Sequence, residues 1–160
     1  MKIYSYLSSC HAHWVSRNPL LAFKQLQKMI DLGQNLMKEG DYQDAKDYVG
    51  SAFESAEILF DQEQSSPQLV SKLTSLTIML SAIYQGIGRP IKACSVLNRI
   101  RWKLDEEEAR SRTHANKAAF IRHCSNALLE ARKDMLGASL LAHGISNGNK
   151  SAAMMGMTVH

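Results

Sequence analysis

The stretch Gly33-Gln34-Asn35-Leu36-Met37-Lys38-Glu39-Gly40-Asp41-Tyr42-Gln43-Asp44-Ala45 decides how this chain folds. It sets a glycine, an acid and an aromatic between two amphipathic runs. Upstream, after Pro19, apolar or small residues recur at Phe23, Leu26, Ile30, Gly33 and Met37. Downstream they recur at Ala45, Val49, Ala52, Ala56 and Leu59. Steps of three and four place such positions on one helical face. The stretch therefore predicts two helices joined by a tight turn at Gly40.

The pattern returns 48 residues later. Pro19 falls on Pro67, Leu21 on Leu69, Lys24 on Lys72, Ile30 on Ile78, Leu32 on Leu80, Gly40 on Gly88 and Ala45 on Ala93. A fixed offset of this kind marks stacked supersecondary units. Pro19, Pro67 and Pro90 each mark a helix start, where a missing N–H costs nothing, and Asn18 and Ser66 stand where a cap belongs. The stripe after Pro67 is Leu69, Leu73, Leu76, Leu80, Ile83 and Ile87, and that after Pro90 is Ala93, Leu97, Ile100 and Leu104. Nothing alternates with period two long enough for a sheet, so the chain is expected to be all-α. Helices are predicted near 19–38, 42–63, 67–86, 90–111, 113–136 and 138–144. The last would follow a turn at Gly137, which with Ala142 repeats the Gly–Ala spacing. The expected organisation is a leading segment 1–17, a helical repeat domain 18–145 and a flexible tail 146–160.

Composition narrows the function. The chain has 160 residues, 45% apolar and 21% charged, with a formal charge of +4. That length suits one domain burying roughly 70% of its unfolded surface. No run reaches the ~18 apolar residues of a spanning helix, so no membrane partner is expected. Cys10, Cys94 and Cys124 are odd in number and far apart, which fits reduced thiols better than a disulfide framework. Leu7-Ser8-Ser9 before Cys10 resembles a lipoprotein processing box but lacks the apolar core of about 7–15 residues that a signal needs. A cytoplasmic location follows as the expectation.

No catalytic frame is present. There is no Gly-x-Ser-x-Gly elbow and no strand–glycine loop for phosphate. Asp105, Glu106, Glu107 and Glu108 are consecutive, so they fan around a helix and read as a solvated face. Cys10, His11 and His13, and the pair His123–Cys124, lack the spacing of three or four that brings ligands onto one helical face. Glu54, Glu57 and Glu63 have no histidine three residues on, as a carboxylate-bridged metal pair would need. A non-catalytic chain with neither metal nor cofactor is expected.

Charge is informative when divided. Residues 1–80 carry 7 basic and 9 acidic side chains, whereas 81–160 carry 12 and 6. Glu39, Asp41, Asp44, Asp47, Glu54, Glu57, Asp61 and Glu63 face only Lys46 in their segment. Arg89, Lys92, Arg99, Arg101 and Lys103 have no acid among them. This basic helix is a candidate electrostatic surface for a protein partner, for a second copy in a homo-oligomer, or for nucleic acid stacking on Trp102. The alternative is two helix faces that attract each other inside the monomer.

Gly33, Leu36, Gly40, Asp41, Tyr42, Ala45, Val49 and Ala52 resemble the core of a tetratricopeptide repeat, with Ser81, Tyr84, Gly88, Pro90, Ala93, Leu97 and Ile100 as a second copy. In this pattern small residues at Gly33, Ala45 and Ala52 let two helices approach, Gly40 turns the chain, and Tyr42 wedges the next helix. The repeat here is 48 residues against about 34 in that family. The resemblance implies antiparallel hairpins stacked as a short right-handed array of about five to six helices. It also implies a concave groove for a peptide or helix, lined by Gln27, Ile30, Gln34, Met37 and Lys38 and by Ser75, Ile78, Ala82, Gln85 and Gly86. The chain would then be an adaptor or chaperone-like interaction module. Asn18-Pro19-Leu20-Leu21, Gly40-Asp41-Tyr42 and Leu97-Asn98-Arg99-Ile100-Arg101-Trp102 are also similar to small flagellar export chaperones, which implies an antiparallel bundle holding an exported subunit.

Overall fold

A computed structural model describes residues 4–62 and 65–156, with side chains as far as residue 138. The described residues form six helices and no strand: α1 Ser9–Arg17, α2 Pro19–Lys38, α3 Tyr42–Asp61, α4 Pro67–Gly86, α5 Pro90–Arg110 and α6 Ala115–Gly156. Each of α2 to α6 packs on its neighbours in sequence, and α4 also meets α2 and α6. The chain is thus an all-α array with α4 at its centre.

Local signals explain the helix ends. Pro19, Pro67 and Pro90 open α2, α4 and α5. The Ser66 hydroxyl caps α4 by accepting the Leu69 N–H at 3.2 Å, and Asp41 caps α3 through the Asp44 N–H at 3.3 Å. Asn18 does not cap α2; its side-chain amide instead donates to the Trp14 carbonyl at 3.0 Å, at the end of α1.

The two hairpin turns have the same form. Gly40 and Gly88 have φ of 79° and 78°, a left-handed conformation that glycine adopts without a Cβ clash. The Asp41 N–H donates to the Leu36 carbonyl at 2.9 Å and the Gly40 N–H to Met37 at 3.1 Å. Forty-eight positions on, the Arg89 N–H donates to Tyr84 at 2.7 Å and the Gly88 N–H to Gln85 at 3.1 Å. Both turns are Schellman ends, which satisfy the last carbonyls of the helix before them.

The third turn does not form. Gly137 lies inside α6, so the helices expected at 113–136 and 138–144 are one. The reason is local: Gly40 is followed by a capping aspartate and Gly88 by Arg89-Pro90, whereas Gly137 precedes Ala138-Ser139-Leu140-Leu141, which offers no proline or turn. The backbone of the expected tail is helical to Gly156, and positions 157–160 lie outside the described residues. In the leading segment, Ser9–Arg17 forms α1, which packs on α2 and α3.

The core runs through α4. Leu69, Leu73, Leu76, Leu80 and Ile83 are fully buried. Each such side chain contributes about 1.5–3 kcal/mol relative to exposure. Because α4 is enclosed on several sides, its polar positions bond inward. Thr74, Thr77 and Ser81 donate to the carbonyls of Val70, Leu73 and Ile78 at 2.8, 2.6 and 2.7 Å. Small residues close the first hairpin as expected: Ala45 and Ala52 are buried, and a Cβ on Gly33 would stand 2.4 Å from Val49 Cγ2. Tyr42 rests on the end of α4, where a Cβ at Gly86 would lie 3.4 Å from its ring.

Candidate functional site

The predicted groove residues divide into three groups. Ile30 is 5% exposed and belongs to the core, because Leu26, Ile30 and Gly33 form the buried stripe of α2. It is not a groove residue. Gln27 is exposed but links helices: its amide donates to Asp31 at 2.9 Å and its oxygen accepts from Lys72 of α4. Lys72 also lies 5.5 Å from the Phe23 ring centre. Gln34 and Lys38 stand exposed on α2, Met37 is half-buried, and Ser75 and Gly86 are exposed on α4.

The remaining three come together. Ile78, Ala82 and Gln85 line one side of a cleft of about 280 Å³, and Ala131, Asp134, Met135 and Ala138 of α6 line the other. Its walls are mainly apolar, from Ile78, Ala82, Ala131 and Met135. The Gln85 amide and the Asp134 carboxylate supply hydrogen-bonding groups. Because α4 and α6 pack together directly, both walls stand on rigid elements. Sequence reasoning missed the α6 wall, although its spacing of Ala131, Asp134, Met135 and Ala138 is a regular helical stripe.

The charged faces meet inside the molecule. Glu57 is 1% exposed and pairs with the Arg99 guanidinium. Lys103 reaches Asp61 at 2.7 Å and Glu57 at 3.5 Å. Arg99 also lies over the Phe53 ring. Arg99 and Lys103 of the predicted electrostatic surface are therefore engaged by acids within the chain, and the Lys92 ammonium lies 5.7 Å from the Tyr84 ring centre. Arg89 and Lys92 remain exposed, and Arg101 is half-buried. Trp102 is 62% exposed beside a cavity in which Ser65 accepts from Lys117 at 2.8 Å and donates to Glu107 at 2.9 Å. Arg110 pairs with Glu107 at 3.0 Å in the same place.

The acidic run is more than a solvated face. Its members diverge, as consecutive helical residues must, and Asp105, Glu107 and Glu108 find separate partners. Asp105 accepts from Ser125 at 2.6 Å, and Glu108 pairs with Arg122 at 2.6 Å.

A further feature was not foreseen. Glu54 lies on the buried face of α3, and its carboxylate accepts three successive backbone N–H groups, from Ser5 at 2.6 Å, Tyr6 at 3.0 Å and Leu7 at 2.9 Å. Successive N–H groups turned to one anion form a nest. The Tyr6 ring covers Gly50, where a Cβ would stand 2.5 Å from it, and the Tyr6 and Tyr84 hydroxyls are hydrogen-bonded. Burial pushes the Tyr6 phenol upward, reinforced by the Tyr84 hydroxyl and then by the charges of Glu54 and Asp47. The one legible signal was an acid and a glycine inside an otherwise apolar face of α3.

Two other groups are perturbed. The exposed Asp44 carboxyl is raised by its hydrogen bond to Asp41, by the charge of Asp41 and, last, by that of Asp47. Burial raises the Cys124 thiol, against an opposing hydrogen bond with Thr74. Cys10 is exposed and Cys94 intermediate. Among the described residues, no group of three His, Cys, Asp or Glu could hold a metal ion, and no helix is long and apolar enough to cross a membrane. No protein-family model, curated protein or solved structure matches the chain.

Proposed function

We propose that this chain is a non-catalytic protein-interaction module that takes a peptide or helix into the cleft between α4 and α6. The observation that carries the reading is the cleft itself: Ile78, Ala82 and Met135 offer apolar contact while Gln85 and Asp134 offer hydrogen bonds. Apolar walls with a few placed polar groups are the usual chemistry of grooves that accept an amphipathic helix or an extended segment. The resemblance to tetratricopeptide repeats implies this same face of α4 with α2 as the second wall, whereas the second wall of this cleft is α6. The nucleic-acid reading is weaker, since Arg99 and Lys103 are engaged by buried and half-exposed acids.

The test is a selection from a random peptide display library against the full chain. Selected peptides should share a sequence pattern and bind the Ala82→Arg variant at least tenfold more weakly, at unchanged helicity by circular dichroism. Ala82 is exposed, so the substitution fills the cleft without entering the core. A selection that yields no ligand, or ligands indifferent to both Ala82→Arg and Gln85→Lys, overturns the assignment.

A further inference from the structure

Internal ion pairing accounts for only part of the charge split between the acidic segment and α5. Glu57 and Asp61 are answered by Arg99 and Lys103. Glu39, Asp41, Asp44 and Asp47 form no ion pair among the described residues, and neither do Arg89 and Lys92. Arg101, half-buried farther along α5, also forms none; the others lie at or near the beginnings of α3 and α5, next to the two glycine turns.

Each unanswered set surrounds exposed apolar surface. Leu32, Leu36 and Tyr48 line a cleft of about 570 Å³ between α2 and α3, with Glu39, Asp44 and Asp47 beside them. Leu32 is 48% and Tyr48 42% exposed. In the first turn of α5, Ile91 is 84% exposed and lies between Arg89 and Lys92 in the chain. One surface is an apolar hollow edged by anions, and the other an apolar projection edged by cations.

We propose that the two surfaces are halves of one self-association contact: Ile91 of one copy enters the Leu32–Leu36–Tyr48 cleft of a second copy, with Arg89 and Lys92 against Glu39, Asp44 and Asp47. Charge complementarity selects this occupant. Opposite potentials steer the encounter and fix its orientation, while cleft-to-cleft and projection-to-projection approaches are repelled. The contact is therefore heterologous, and each copy keeps one free half, so chains or rings grow. Both patches are small, which places the contact among weak interfaces below about 1,200 Å². Exposed ion pairs make it sensitive to salt.

Sedimentation velocity of the full chain tests this. In low salt the mean mass should rise with protein concentration, and in about 0.5 M salt, where screening acts within a few ångströms, it should fall to the monomer. Ile91→Asp and Leu32→Asp should each give a monomer of unchanged helicity. Mixing the two variants should restore association that stops at the dimer, because each variant retains a different half. A charge pair gives a second route: Arg89→Glu with Lys92→Glu should be monomeric alone and should associate with Glu39→Lys with Asp44→Lys. The proposal is overturned if the unmodified chain stays monomeric in low salt, if either apolar variant still self-associates, or if either mixture fails to associate.

Discussion

At the scale of single residues, Glu54 shows how one side chain fixes a segment that has little regular structure. Three N–H groups of Ser5, Tyr6 and Leu7 would be left without their acceptor by Glu54→Ala. Removing one partner of buried hydrogen bonds costs about 1–3 kcal/mol, so we expect a loss of about 2 kcal/mol in urea unfolding. Hydrogen exchange at residues 5–7 should accelerate at the same time. An unchanged midpoint with protected amides would contradict the assignment. Little of this feature was legible beforehand: Glu54 reads as one more acid in a charged segment, and its partners lie almost fifty positions away. Ile30 failed for a related reason. Its spacing fits both the buried stripe of α2 and the neighbouring face, and only packing against α3 and α4 decides between them.

At the scale of elements, the prolines and two of the glycines were legible because their constraints are local. A missing N–H opens a helix and a positive φ closes one, whatever the rest of the chain does. Gly137 looked equivalent by spacing, yet the residues after it carry no stop. The difference predicts opposite signs for the same substitution. Gly40→Ala and Gly88→Ala force a Cβ into the left-handed region and should destabilise by about 1–2 kcal/mol each. Gly137→Ala removes a glycine from a helix interior where no atom stands within 4 Å of the new Cβ. It should stabilise by about 0.5–1 kcal/mol. Chemical unfolding of the three variants checks this, and a destabilised Gly137→Ala would restore the turn. Helix α1 was missed because nine residues are too few to establish a periodic stripe.

At the scale of the whole molecule, the charge asymmetry changes its meaning. The acidic and basic helices are partly an internal clamp that joins α3 to α5 across the array. Glu57 is buried, and Arg99 and Lys103 both pair with it, so removing them takes two cations from a buried carboxylate. Arg99→Ala with Lys103→Ala should cost about 3 kcal/mol in thermal or urea unfolding. Replacing Glu57 together with them, by Leu, should recover most of that loss, since buried pairs are often replaceable by apolar groups. A double variant as stable as the parent would mean that the pairs are incidental. The cleft proposed as an interaction face was half legible: the α4 side follows from helical spacing, while the α6 side depends on how a distant helix packs back onto α4. Peptide capture between α4 and α6 is tested most directly by hydrogen exchange on the full chain with and without a peptide selected against it. New protection is expected at residues 78–85 and 131–138 and nowhere else. Protection centred on residues 89–103, or on the exposed face of α2 at Gln34 and Lys38, would contradict it.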